Sequence, residues 1–179
     1  MFNILNMDTE NQSPEIKKMA LLEKINRAVA ELGSTLEWIK LPEAVPGTEI
    51  LKDKVIVMVD DMREVLANFV SDLMMATDGK AAFVQYVGQE MEELSRQVLA
   101  NNPDIVLLDH NLSDRVKGAA AAVALKQAGF GGSIVSFSSE QLSSREYQNV
   151  SVLGSVEKNN AHPEKSIKQL ADLISHKEE

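Results

Sequence analysis

Apolar residues follow two different rhythms along this chain. In Lys54-Val-Ile-Val-Met-Val59 and in Ile105-Val-Leu-Leu108 they form short unbroken blocks, the pattern of strands buried on both faces of a parallel sheet. Nearer the start they recur at Ile16, Met19, Leu22, Ile25, Val29 and Leu32, a single stripe at helical period. Ser13-Pro14 supplies an N-cap and a first helical residue, so the stripe predicts a helix over 14–32. Gly33-Ser34 can stop it, yet Leu36 and Ile39 keep the spacing and predict a resumption to about residue 40. Such a stripe has two uses. It can lie against its own domain, or, being close to a heptad, it can pair with a second copy or a partner through residues 14–39. Pro42, Pro46 and Gly47 then mark a linker. The expected division is an N-terminal extension over 1–52, its first dozen residues polar and frayed, and a main domain over 53–179.

From residue 53 strand and helix patterns alternate. Strands are expected at 54–59, 81–87, 104–108, 133–138 and 150–156, and helices at about 61–76, 89–101, 117–128, 141–147 and 163–175. Asp78-Gly79 and Asn101-Asn102-Pro103 punctuate the elements. This alternation predicts an α/β fold with a doubly wound five-stranded parallel sheet. In such sheets the working residues lie just past the carboxyl ends of the strands. The block at 105–108 ends on Asp109 and the block at 54–59 ends on Asp60-Asp61. Three converging carboxylates repel one another and raise their pKa values unless a cation sits among them, and their oxygens suit Mg²⁺. The fourth strand ends on Ser138 with Ser139 beyond it, and the fifth reaches Lys158. Hydroxyls and an ammonium facing an acidic Mg²⁺ site are what a phosphoryl group requires.

Composition narrows the field further. Hydrophobic residues are 44% and charged residues 25% of the 179, ordinary for a soluble domain with a sizeable core. The net charge of −9 and the lack of a long basic run argue against direct nucleic-acid binding. With no cysteine, disulfides, thiolate zinc sites and cysteine nucleophiles are excluded. Neither a signal peptide nor a bilayer-spanning segment is legible, so a cytoplasmic protein is expected. The spacing of His110, His162 and His176 in the sequence is not that of a metal-ligand set, which suits surface or supporting roles. Neither a nucleophile elbow nor a phosphate-binding glycine loop is present.

The ordered set of an acidic pair, an Asp, a Ser and a Lys after strands one, three, four and five resembles the receiver domain of two-component response regulators, across residues 53–176. The resemblance implies that Asp109 is the phosphoacceptor and that Asp60 and Asp61 bind Mg²⁺ together with Asp109 and the backbone carbonyl of Asn111. It implies that Ser138 is the switch hydroxyl, that Lys158 contacts the phosphoryl group with Ser138 and Ser139, and that Gly118 opens the following helix. It further implies a non-enzymatic signalling module that takes its phosphoryl group from a histidine kinase or a histidine phosphotransfer protein and acts on a downstream effector. Four places depart from the family pattern. Ser113 and Asp114 stand where the family carries Pro, and the loop before Gly118 is one residue longer. Asn159 follows Lys158 in place of a cis proline, and the strand-five aromatic is absent near Ser155. A non-proline cis bond costs about 2.5–4 kcal/mol, so trans geometry or a strained turn is expected at Asn159. The helix over 141–147 is also short.

Two other functions fit part of this pattern. A Mg²⁺-dependent phosphohydrolase resembling haloacid-dehalogenase enzymes also uses a strand-ending Asp, but needs an acid two residues later, where Asn111 stands. A receiver fold kept only as an interaction scaffold would have no need of the metal. Asn111 and Glu140, each two places past a site residue, flank the path of a hydrolytic water and predict a short-lived phosphorylated state.

Overall fold

In the computed structural model, which describes residues 13–139, 147 and 150–178, the two apolar blocks become neighbouring central strands. These are β1 (Ile56–Asp60) and β3 (Ile105–Asp109), and every residue of both is buried. β2 (Ala81–Gln85), β4 (Ser133–Ser138) and β5 (Gly154–Glu157) complete a sheet of order β2-β1-β3-β4-β5, with each neighbouring pair parallel. The helices described are α1 (Pro14–Glu31), α2 (Arg63–Ala76), α3 (Met91–Leu99), α4 (Gly118–Gln127) and α5 (Pro163–Glu178). The predicted doubly wound parallel sheet is therefore present. Alternate residues of the strands feed two cores. Ile56, Met58, Leu107 and Phe137 face one cluster with α1, α2 and α5, while Val57, Val59, Val106 and Leu108 face another with α3 and α4. The chain runs from β1 outward to β2 and then returns past β1 to β3. The direction of winding reverses between β1 and β3, and a crevice opens at their carboxyl ends. None of the described helices is long and apolar enough to cross a membrane.

The N-terminal stripe is used within the chain. Ile25, Val29 and Leu32 are buried in the same cluster as α2, while Ile16 and Met19 on the first turns stay exposed. The helix does not resume toward residue 40, contrary to the spacing of Leu36 and Ile39, which are 56% and 91% exposed. Gly33 takes φ +72°, its N–H reaches Ala30 O at 2.8 Å, and the Ser34 N–H reaches Val29 O at 3.1 Å. That is the two-bond helix stop that a left-handed glycine makes possible. The Asn26 side chain then grips the Trp38 backbone through both groups, at 2.8 and 2.9 Å, and holds the following segment alongside α1. Beyond it Thr48 Oγ caps Val45 O at 2.7 Å, and Leu51 is fully buried in the α5-side core.

Because Ile25 is fully buried, Ile25→Ala should destabilise the whole chain by about 2–4 kcal/mol. Urea unfolding would report this as a lower midpoint at unchanged slope. An unchanged midpoint would mean that α1 does not pack on the domain in solution.

The fifth strand begins later than its apolar pattern suggests. Residues 150–153 were expected in it, but the Val150 N–H still closes a turn onto Tyr147 O at 3.0 Å, and Val150 is buried in the α3/α4-side core. Pairing with β4 begins only when the Leu153 N–H reaches Ile134 O at 2.7 Å. Of the helix expected over 141–147, residues 141–146 lie outside those described, as do the first twelve residues.

Candidate phosphoacceptor site

Asp60 is carried to the crevice as the last residue of β1 and is fully buried. Its Oδ1 accepts the Met62 N–H at 2.9 Å, which also turns the chain into α2, and its Oδ2 accepts from Lys158 Nζ at 2.7 Å. The same ammonium donates to Asp109 Oδ1 at 2.5 Å, so a single lysine ties the ends of β1 and β3 together. Asp61, partly exposed, completes a trio in which carboxylate oxygens of all three acids lie within 4.8 Å of one another. Among the described residues this trio is the group able to hold a metal ion, and it contains no histidine. His162 instead pairs with Glu164 at 3.2 Å on the surface, and His110 is buried with its ring 6.1 Å from that of Tyr147.

Electrostatics in the trio follow from burial. Loss of solvent pushes the Asp60 carboxyl above its usual value, with Lys158 opposing and Asp109 reinforcing the shift. Burial likewise raises Asp109 against the pull of Lys158, and burial together with Asp60 raises Asp61. For Lys158 burial disfavours the charge, but Asp60 and Asp109 outweigh it and hold its pKa above that of an ordinary lysine. One ammonium thus faces three carboxylates, and the remaining negative charge is what a divalent cation would neutralise.

Three local devices position Lys158. Its backbone N–H bonds Ser138 O at 2.8 Å, carrying it on the last rung of the β4–β5 ladder. Its ammonium sits 5.5 Å from the centroid of the Phe137 ring. Ser166, buried in the first turns of α5, donates to Glu157 O at 2.6 Å and accepts the Asn159 N–H at 3.0 Å. That serine stitches the turn on both sides of the lysine. There is no cis peptide among the described residues, so Lys158–Asn159 is trans. The stitch holds with Asn159 rather than a proline after the lysine.

The loop after Asp109 is a small hairpin. Gly118 N–H bonds His110 O at 2.7 Å and Leu112 N–H bonds Val116 O at 3.0 Å, bringing Asn111 opposite Lys117 in an antiparallel bridge. Ser113 Oγ accepts the Arg115 and Val116 N–H groups at 3.3 and 3.0 Å. Ser113 therefore closes the turn of this hairpin. Gly118 is required by space, since a Cβ there would fall 2.1 Å from the Asp109 carbonyl oxygen.

These elements surround a cleft of about 460 Å³ lined by Asp61, Asp109, Asn111, Ser138, Ser139 and Lys158, with Lys117 at its rim. Asp60 lies behind the wall, both its oxygens already bonded. The candidate residues from four strand ends are thus gathered in one place. Glu140 lies outside the described residues. Sequence reasoning passed over Ser166 and Lys117. A serine three residues after Pro163 at a helix start and a lysine just before Gly118 were the available signals.

No protein-family profile matches this chain, and no curated protein matches it in sequence. Solved structures do match its shape. The receiver domain of the histidine kinase CKI1 from Arabidopsis thaliana, complexed with Mg²⁺ and BeF₃⁻, is 19% identical over 75% of this chain and 96% of its own, with a TM-score of 0.54. The same receiver complexed with Mg²⁺ covers 74% of this chain and 97% of its own at 19% identity and a TM-score of 0.50. Its D1050E mutant, 17% identical, covers 75% and 96% at a TM-score of 0.54. The fold is that of a receiver domain, an α/β sheet of five parallel strands flanked by helices.

Proposed function

We propose that this chain is a phosphoacceptor signalling domain in which Asp109 takes a phosphoryl group from the phosphohistidine of a histidine kinase or histidine phosphotransfer protein. The observation that carries the reading is the double contact of Lys158 with Asp60 and Asp109 on the floor of a cleft bordered by Ser138. An Asp109 oxygen would attack phosphorus as the P–N bond of the donor breaks, its electron pair leaving on the imidazole. Lys158 favours the ionised form of Asp109 against the effect of burial and stands ready to meet a phosphoryl oxygen. Ser138, at the end of β4, offers a hydroxyl to a second oxygen, and its movement toward the acyl phosphate would shift the population of the adjoining surface.

The donor set fits Mg²⁺, the metal with which the Arabidopsis receiver is complexed. Asp61 and Asp109 present lone pairs to the cleft, Asp60 supports them from behind, and the Asn111 backbone carbonyl would add a further oxygen. When bound, the ion would neutralise charge on the transferred group. Asn111 cannot protonate a leaving alcohol, which argues against turnover of external phosphate esters. Output would pass through protein contacts. Ile16, Met19, Leu36 and Ile39 are the large exposed apolar residues within 14–39 and are where a second copy or an effector would bind.

Addition of Mg²⁺ above its Kd should raise the melting temperature with the logarithm of its concentration, by several degrees at about a hundred times Kd, and Asp61→Ala should erase the shift. A melting curve indifferent to Mg²⁺ would favour a phosphorylation-independent scaffold.

A further inference from the structure

The cleft has a second ammonium whose position follows from the hairpin. Asn111 and Lys117 sit directly opposite each other, flanked by the Gly118–His110 and Leu112–Val116 hydrogen bonds. That makes them a non-hydrogen-bonded antiparallel pair, the kind whose side chains lie closest and on the same face. Lys117 Nζ indeed donates to Asn111 Oδ1. Because an ammonium can only donate, the amide has to turn its oxygen toward Lys117, which occupies one of that oxygen's two lone pairs. The remaining hydrogens of Lys117 stay available to an anion, on a rim that also carries the Asp114 carboxylate. Lys158 is differently placed. It is held by two carboxylates at the floor of the cleft, with its side chain only 10% exposed. Lys117 is exposed and lines the same cleft.

We propose that Lys117 is the contact that receives the phosphoryl oxygens of an incoming donor at the rim, before Lys158 meets them at the floor. The inference rests on the phosphoacceptor reading of Asp109 and adds to it a residue that sets donor capture. The physical need is plain. The chain carries a net charge of −9, and Asp61, Asp109 and Asp114 all line the cleft that a phosphoryl dianion must enter. A cation at the mouth offsets that repulsion and raises the encounter rate, and its effect is screened by salt because it is exposed. An exposed lysine also moves from Asn111 to an anion with no desolvation of a buried group.

The test uses the full chain with Mg²⁺ and two small donors, acetyl phosphate and phosphoramidate, with uptake followed by intact mass. Lys117→Met should lower the second-order rate of uptake roughly three- to tenfold at low ionic strength with both donors. The difference should shrink toward unity near 1 M salt. Lys117→Arg should keep most of the rate, and a Mg²⁺ melting shift should persist in all three proteins. A wild-type rate in Lys117→Met would overturn the proposal. So would equal losses in the Met and Arg variants, or a loss that persists at high salt, either of which assigns Lys117 to the structure of the loop. An effect confined to acetyl phosphate would overturn it too, placing the contact on the acyl group instead. Failure of the wild type to take up any phosphoryl group would remove the phosphoacceptor reading and this inference with it.

Discussion

Incubated with acetyl phosphate and Mg²⁺, the wild-type chain should gain the mass of one phosphoryl group, and Asp109→Asn should gain none. The other two acids are poor substitutes. Asp60 is fully buried with each oxygen already accepting a hydrogen bond, and Asp61 is not among the carboxylates that Lys158 holds by hydrogen bonds. Asparagine keeps the shape of the side chain and can still accept from Lys158, so the variant should fold and serve as a clean control. Lys158→Ala should slow uptake about a hundredfold or more, the usual scale for removing one charge-stabilising donor. Its loss leaves Asp60 and Asp109 facing each other without the cation that favours their ionised forms. Modification of Asp109→Asn at the wild-type level would move the acceptor elsewhere.

Gly118→Ala should be among the most damaging single-methyl changes in the chain. Its Cβ would lie 2.1 Å from the Asp109 carbonyl oxygen and 3.0 Å from Tyr147 Oη. The nearer atom is backbone at the end of a central strand, so no side-chain rotation relieves the contact. Overpacking of this kind costs about 1–3 kcal/mol and more when backbone has to move. A fall of roughly 5–10 °C in melting temperature is expected, together with slower phosphoryl uptake because the moved peptide belongs to Asp109 itself. Circular-dichroism melting checks the first effect and intact mass the second. By contrast Gly131→Ala, where a Cβ meets no atom within 4 Å, should leave both unchanged. Similar melting curves for wild type and Gly118→Ala would show that the close approach is absent in solution.

Much of the site could be read from the chain because it lies where pattern breaks are sharpest. Asp60 and Asp109 end unbroken apolar blocks, and a carboxylate directly after a buried strand stands out against what precedes it. Ser138 and Lys158 were legible through their order along alternating elements, although neither residue type is informative alone. Ser166 and Lys117 were not legible in this way. Each is a lone polar residue at a helix start, and its partner lies across a turn whose hydrogen bonds no periodicity encodes. The start of β5 was misplaced for a related reason. Val150 is apolar because it fills the α3/α4-side core from a turn, and an apolar residue looks the same whether it is buried by a strand or by a turn.

By itself, then, the sequence determined the parallel α/β architecture and the strand ends at which acids, hydroxyl and lysine stand. Burial on two faces imposes continuous apolar runs, and the polar residues that end them cannot be hidden. Tertiary structure alone decided the rest. The stripe of α1 reads identically whether it faces its own domain or a second copy, and only packing against α2 shows that Ile25, Val29 and Leu32 are spent within the chain. Gly33 was one weak stop against a continuing period, until its left-handed backbone and the grip of Asn26 on Trp38 ended the helix. The contact of Lys158 with both Asp60 and Asp109 joins residues far apart in the chain, and it exists only because β1, β3 and β5 end at one edge of the same sheet.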